Sequence, residues 1–244
     1  MSNSVLALLI LILVGQPLQP PEADMAMPGQ ALASRVASAA QEATPGRCDE
    51  AVARSQRSNA ETLFAGWLIC HRVGRVDDSV FLILAGQARA TADMYEATRS
   101  LQPPAEPPAE TVDLYGFIYG VAGGAGPSEF YRDVSRTEAL FSRLRVWQPT
   151  RAPDYDPGWA VSQRMSASEY EQVIREAVEG RVHQLTRLSR LLRDEDYWRL
   201  QQEQERLMVE NNSTFHEGTP AARRMDEIRV QQAAISRRLG APER

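Results

Sequence analysis

Apolar side chains recur every three or four residues along most of the chain, which is the period of an α-helix that buries one face. One such stripe consists of Tyr170, Ile174, Ala177, Val178, Leu185, Leu188 and Leu192. A second stripe has four-three spacing and consists of Ala221, Met225, Ile228, Gln232, Ile235 and Leu239. Alternating β-branched runs joined by hairpin turns, which would indicate paired strands, are not found. The pattern predicts a mainly α protein of antiparallel helical hairpins, forming a helical bundle or a repeat-like array without substantial β-sheet.

Capping residues predict where several of these helices begin and end. Two starts are indicated by serine and glutamate at the capping-box spacing, and a third by threonine before proline. These pairs are Ser58 with Glu61, Ser166 with Glu169, and Thr219 with Pro220. Helix ends are predicted at Gly74 and Gly240, because glycine readily adopts the left-handed conformation that closes a helix.

The N-terminus carries an apolar run from Val5 to Val14. The run has the length of a signal-peptide core and about half of the roughly 20 residues that a membrane-spanning helix needs. Residues 1–15 are therefore expected to be a signal peptide or a short N-terminal hydrophobic segment. No Lys or Arg precedes the run, which leaves a short uncleaved membrane anchor and a misplaced start codon as alternatives.

The rest of the chain divides by composition into a tether and a helical domain. Residues 16–46 are rich in Pro, Ala and Gln and are expected to form a flexible tether. The helical domain is expected over 47–240. Its expected subregions are 47–100, 111–160 and 166–240.

Two cysteines, Cys48 and Cys70, flank the turn predicted just before Ser58. If the helices on either side are antiparallel, the cysteines lie side by side, within the short Cα separation that a disulfide requires. We expect a disulfide that contributes about 3 kcal/mol and indicates a periplasmic or secreted protein. The alternative is a pair of unrelated buried thiols. A zinc site is disfavoured because His71 is the only nearby histidine.

The charged residues exclude several functions. The chain has 27 Lys plus Arg, all of them Arg, and 32 Asp plus Glu, which gives a formal net charge of -5. Without an overall positive field, nucleic-acid binding loses its main driving force. Without lysine, Schiff-base catalysis and a Walker-type phosphate site are excluded. We expect no cofactor, no metal ion and no nucleic-acid partner.

A glycine-rich segment, "LYGFIYGVAGGAGPSEF", allows three interpretations. Gly116, Gly120 and Gly124 recur at every fourth residue, so on a helix they would lie on one face and let another backbone approach closely. We prefer this helix-packing role. The alternatives are a phosphate-binding loop, for which the required preceding strand is not predicted, and a mobile loop, because each glycine costs a helix about 1 kcal/mol.

The stretch from Arg145 to Trp159 is the candidate for contact with a ligand or partner. It concentrates aromatic and charged side chains in a proline-rich loop that is longer than a minimal connection. The candidate contact residues are Trp147, Arg151, Asp154, Tyr155, Asp156 and Trp159. Their aromatic rings could stack on a sugar or peptide, or they could pack onto the helices beneath them.

Two classes of function fit these features. No catalytic residue is assigned, because neither a G-x-S-x-G nor an H-E-x-x-H pattern occurs. We expect an exported helical protein that binds another protein as a non-catalytic adaptor, inhibitor or scaffold. It would lack a spanning helix and could associate weakly with membranes through its N-terminal apolar segment. The alternative is a hydrolase that uses Asp154 and Asp156 with His71 or His183 in a helical pocket.

Overall fold

A computed structural model of the protein describes residues 30–99, 128–151, 155–157, 164–211 and 218–240. Every regular element within these ranges is an α-helix. The helices are α1 (Gln30–Ala39), α2 (Pro45–Arg54), α3 (Ala60–Arg72), α4 (Val76–Arg99), α5 (Ser128–Arg132), α6 (Val134–Val146), α7 (Ala167–Leu192), α8 (Glu195–Glu210) and α9 (Pro220–Arg238). The predicted mainly α class is confirmed, and contacts between the helices are those of a bundle.

Helix α3 lies at the centre of the N-terminal half and contacts α1, α2 and α4. Every residue from Leu63 to Cys70 is buried, because apolar or small side chains occupy all faces of this stretch. A helix that is apolar all round must be covered on all sides. The neighbouring helices supply that cover, so α1, α2, α3 and α4 pack together.

Helix α1 lies within the range 16–46, for which the composition predicts a flexible tether. Among the side chains of α1 that the structure describes, Leu32, Ala33 and Val36 are buried. Arg35 on the same helix forms an ion pair with Glu61 of α3 at 3.0 Å. The structure therefore differs from the prediction over 30–39, because apolar side chains at helical spacing let this segment pack on the bundle.

The start of α3 also differs from the predicted capping box of Ser58 and Glu61. Asn59 is the N-cap, and its side chain accepts a hydrogen bond from the Thr62 amide at 2.9 Å. The Ser58 hydroxyl instead donates to the Arg54 carbonyl at 3.0 Å, in the turn that precedes the helix. The helix therefore begins one residue later than the pattern predicts.

The other predicted helix boundaries are confirmed. Ser166 with Glu169 forms a capping box at the start of α7, and Thr219 with Pro220 begins α9. Gly74 follows α3 with a φ of 76°, and Gly240 follows α9 with a φ of 67°. These are left-handed conformations, which glycine adopts without a Cβ penalty.

Cys48 of α2 and Cys70 of α3 form a disulfide with their Cα atoms 4.9 Å apart. Both side chains are completely buried. The short turn between α2 and α3 brings them together as predicted, which confirms the disulfide over the alternative of unrelated thiols.

Helices α3 and α4 approach each other closely at Gly86 of α4. A Cβ atom added at Gly86 would lie 2.7 Å from Cε1 of Phe64 on α3. Only a residue without a side chain fits there. The similar role predicted for Gly116, Gly120 and Gly124 concerns residues outside the described ranges and stays a prediction.

Helices α8 and α9 pack on each other as a C-terminal hairpin, and α8 also contacts α7. On α9, Met225 and Ile228 are buried and Ile235 is half-buried, as is Leu239 at the C-cap. The four-three stripe therefore faces α8, as expected for a packed hairpin. Among the described helices, none combines the length and apolar character needed to cross a membrane.

Candidate binding site

The structure describes four of the six candidate contact residues. They are Trp147, Arg151, Tyr155 and Asp156, whereas Asp154 and Trp159 lie outside the described ranges. The side chains of Trp147 and Tyr155 are buried, with 7% and 6% of their surface exposed. These two rings therefore pack onto the helices beneath them, which is one of the two arrangements that the sequence allows.

The described residues that follow α6 have no regular secondary structure, and we call residues 147–151 and 155–157 the strap. The Thr150 amide donates a hydrogen bond to the Gln56 carbonyl at 2.8 Å. The Asn59 side chain donates to the Asp156 carbonyl at 3.1 Å. These bonds attach the strap to the turn between α2 and α3.

A cluster of six polar side chains lies where the strap meets α4 and α7, and we call it the buried cluster. It consists of Arg89, Asp93 and Glu96 from α4, Arg151 and Tyr155 from the strap, and Tyr170 from α7. The three α4 positions are spaced by four and three residues, so they lie on one face of the helix. Arg89 and Asp93 have no exposed surface, and Glu96 is 2% exposed.

Asp93 accepts hydrogen bonds from two tyrosine hydroxyls. Tyr155 donates to its Oδ2 at 2.6 Å, and Tyr170 donates to its Oδ1 at 2.5 Å. Burial raises the pKa of the Asp93 carboxyl from 3.8 to about 6, although the tyrosine hydrogen bonds and the charge of Arg89 oppose this rise. Burial also raises the pKa of both tyrosines, which therefore remain protonated donors.

Arg89 joins α4 to the turn before α3 and to the strap. Its guanidinium donates to the carbonyls of Ser58 at 3.1 Å, Gln56 at 2.9 Å and Thr150 at 3.1 Å. Its Cζ atom lies 4.9 Å from the centre of the Tyr155 ring. A buried guanidinium is stable only when its donors are satisfied, and backbone carbonyls do this here.

Arg151 forms a buried ion pair with Glu96. Its guanidinium also donates to the Met165 carbonyl at 2.6 Å and lies 4.7 Å from the centre of the Tyr170 ring. The Met165 amide donates to the same Glu96 carboxylate at 2.6 Å. Glu96 of α4 therefore binds both Arg151 of the strap and the Met165 amide before α7, which holds these two segments against α4.

A groove of about 330 Å³ lies between the strap and α7. Five apolar side chains line it, namely Leu144, Trp147, Pro149, Ile174 and Val178. Four charged side chains also line it and form two ion pairs, Arg145 with Glu179 at 2.9 Å and Arg175 with Glu171 at 4.0 Å. The groove therefore offers apolar surface together with charges of both signs.

The groove and the buried cluster share two elements. Thr150 lines the groove, and its carbonyl accepts the hydrogen bond from Arg89. Ile174 lines the groove one helical turn after Tyr170 on α7. Any movement of the strap relative to α4 therefore changes both the groove and the environment of Asp93.

Of the residues proposed for a hydrolase, Asp154 lies outside the described ranges, and the structure does not bring Asp156 together with His71 or His183. Asp156 lies at the N-terminal end of α3 through its bond with Asn59, whereas His71 lies at the C-terminal end. Twelve residues of helix separate these ends by about 18 Å. His183 is exposed on α7, about 20 Å along the helix from Tyr170. Burial and the charge of Arg72 lower the pKa of His71.

Protein groups engage both carboxylates of the buried cluster. Both Asp93 oxygens accept tyrosine hydroxyls, and Glu96 is engaged by Arg151. Within the described ranges, no group of three or more His, Cys, Asp or Glu side chains could hold a metal ion.

Sequence reasoning missed Arg89, Asp93 and Glu96. Alternating acidic residues and arginines on a helix usually indicate a solvated face. The available signal was that these three positions share one face of a helix whose other residues from Val80 to Ala92 are mostly apolar or small. A charged face on such a helix indicates buried partners, although the partners themselves are distant in sequence.

Comparisons of the chain with protein-family models, curated proteins and solved structures found no match.

Proposed function

We propose that the protein is exported and binds another protein through the groove between the strap and α7, as a non-catalytic adaptor, inhibitor or scaffold. The observation that carries this proposal is the lining of the groove, in which an apolar floor is flanked by the Arg145–Glu179 and Arg175–Glu171 pairs. Protein interfaces commonly combine an apolar centre with a polar rim.

The character of the groove supports a protein partner. Apolar side chains such as Trp147 and Ile174 line it together with charges of both signs, for example on Arg145 and Glu179. A peptide segment with one bulky apolar side chain and flanking charges would match this surface.

Export is supported by the disulfide between Cys48 and Cys70, because such bonds persist in oxidising compartments. A periplasmic or secreted location fits this bond. The apolar run from Val5 to Val14 would direct the export and could give a weak membrane association.

The binding proposal is tested by capture from an envelope extract with the immobilised full chain and two variants. Arg175→Glu reverses a charge in the groove, and Arg199→Glu reverses a charge on α8. Both arginines are exposed and pair with an acidic residue on their own helix. We expect a protein retained by the wild type and by Arg199→Glu, with about tenfold or weaker binding to Arg175→Glu.

If the wild type and both variants retain the captured protein equally, the groove is excluded as the binding surface. If the wild type retains no protein specifically, the proposed binding function is excluded. Circular dichroism of each variant checks that the fold is kept, since exposed ion pairs contribute about 0–1 kcal/mol.

A hydrolase is the second candidate, and the raised pKa of Asp93 favours it, because perturbed carboxylates are common in active sites. Glu96 lies one turn away on the same helix face. Against this, Asp93 has no exposed surface and both its oxygens are occupied. Hydrolysis of an ester, peptide or glycoside panel by the wild type, lost in Asp93→Asn, would favour the hydrolase.

A further inference from the structure

We infer that the segment bound by the groove carries an acidic side chain on each side of one bulky apolar side chain. This inference rests on the proposed function, because it names the chemistry of the partner at the same groove. The proposed function requires only that the groove binds a protein, whereas the inference also states the sign of the charge that the partner presents.

The two ion pairs that line the groove differ in how fully their arginines are engaged. Arg145 donates two hydrogen bonds to Glu179, from Nε at 2.9 Å and from Nη2 at 3.2 Å. Arg175 and Glu171 are 4.0 Å apart at their closest, which is too far for a hydrogen bond. Within the described ranges, the Arg175 guanidinium therefore keeps its N–H donors for a bound molecule.

The side chains that line the groove have more unengaged donors than acceptors in the described part of the chain. The donors are the Arg175 guanidinium, Nη1 of Arg145 and the buried indole N–H of Trp147. Among the carboxylates, both Glu179 oxygens accept hydrogen bonds, which leaves Glu171. A partner carboxylate matches this excess of donors, whereas an ammonium group would add one more donor.

The spacing of the two arginines favours two acidic side chains on the partner. Arg175 lies on α7, and Arg145 pairs with Glu179 four residues further along, which is a rise of about 6 Å. Alternate residues of an extended peptide point to the same side at a spacing of about 6.6 Å. The residue between them points the other way, towards the strap, where the apolar Trp147 and Pro149 line the groove.

Glu171 allows a test of the sign of the partner's charge. Its carboxylate competes with an acidic partner for Arg175 and repels that partner. Removing the charge of Glu171 should therefore strengthen the binding of an acidic segment, whereas removing the charge of Arg175 should weaken it. A basic segment would reverse both effects.

The experiment measures the binding of dye-labelled probe peptides to the full chain by fluorescence anisotropy. Three probes are blocked at both ends and carry a central leucine flanked on both sides by glutamate, glutamine or lysine. A fourth probe has flanking glutamines and a free C-terminal carboxylate, which separates a chain end from acidic side chains as the bound group.

The wild type is compared with Arg175→Gln, Glu171→Gln and the control Arg199→Gln. Arg199 is exposed on α8 and pairs with Asp196 on the same helix, as Arg175 pairs with Glu171 on α7. All three substituted side chains are more than half exposed, and circular dichroism checks that each variant keeps the fold.

We expect the wild type to bind the glutamate probe about tenfold more tightly than the glutamine probe. Arg175→Gln should weaken binding of the glutamate probe by about tenfold, and Glu171→Gln should strengthen it by about threefold. Arg199→Gln should bind this probe as the wild type does.

Three results would overturn the inference: no binding of the glutamate probe, tighter binding of any other probe, or a change of the same sign in Arg175→Gln and Glu171→Gln. The capture experiment then still decides the proposed function, since a groove that retains a neutral or basic partner keeps that function. The proposed function fails together with the inference only if the wild type also captures no protein.

Discussion

The contact between α3 and α4 at Gly86 allows a quantitative test of the packing. In Gly86→Ala, the new Cβ would lie 2.7 and 2.9 Å from two ring atoms of Phe64 and 3.3 Å from Cβ of Leu63. Phe64 and Leu63 are completely or almost completely buried, so the ring cannot move without displacing its neighbours. Overpacking of this kind costs about 1–3 kcal/mol.

Gly180 provides the matched control, because it also lies within a helix, α7, and a Cβ there would meet nothing within 4 Å. Both substitutions gain about 1 kcal/mol of helix propensity, so the comparison isolates the packing cost. Gly180→Ala should be more stable than the wild type by about 0.5–1 kcal/mol. Gly86→Ala should be less stable than Gly180→Ala by about 1–3 kcal/mol.

The assay is urea denaturation followed by circular dichroism under non-reducing conditions. A Phe64→Leu background should reduce the cost of Gly86→Ala, because it shortens the side chain that the Cβ meets. Equal free energies of unfolding for Gly86→Ala and Gly180→Ala would refute the packing argument, and an unchanged cost in the Phe64→Leu background would show that Phe64 is not its source.

The remaining predictions concern the disulfide and export. Replacing both Cys48 and Cys70 by alanine should lower the free energy of unfolding by about 3 kcal/mol in urea denaturation; a loss below about 1 kcal/mol would show that the bond adds little. A fusion of residues 1–40 to a reporter active only outside the cytoplasm should give signal, and signal equal to that of a fusion lacking 1–15 would exclude export through this segment.

Local signals predicted those parts of the fold that depend on neighbouring residues. The capping box at Ser166 needs only Glu169, and the disulfide needs only a short turn between two helices. The start of α3 shows the limit of this reasoning. Ser58 and Asn59 are both good N-caps. Asn59 also donates to the strap carbonyl of Asp156, which lies 97 positions away in the sequence.

The buried cluster could not be predicted because its partners come from distant segments. Arg89 bonds to residues 31, 33 and 61 positions away, and no local pattern encodes these distances. Trp147 of the candidate contact stretch lines the groove, and its contact with a ligand or partner stays a prediction. Tyr155 was a candidate for contact with a ligand or partner. In the structure its hydroxyl instead donates a hydrogen bond to the buried Asp93 carboxylate.

The position of Arg89 has a consequence for how the protein folds. Its guanidinium is satisfied only after the turn before α3 and the strap have both reached α4, and closing such long loops is entropically slow. A folding intermediate that contained α1 to α4 without the strap would leave part of this charge without partners, at considerable cost. We therefore expect such an intermediate not to accumulate, which makes the N-terminal helices and the strap one cooperative folding unit.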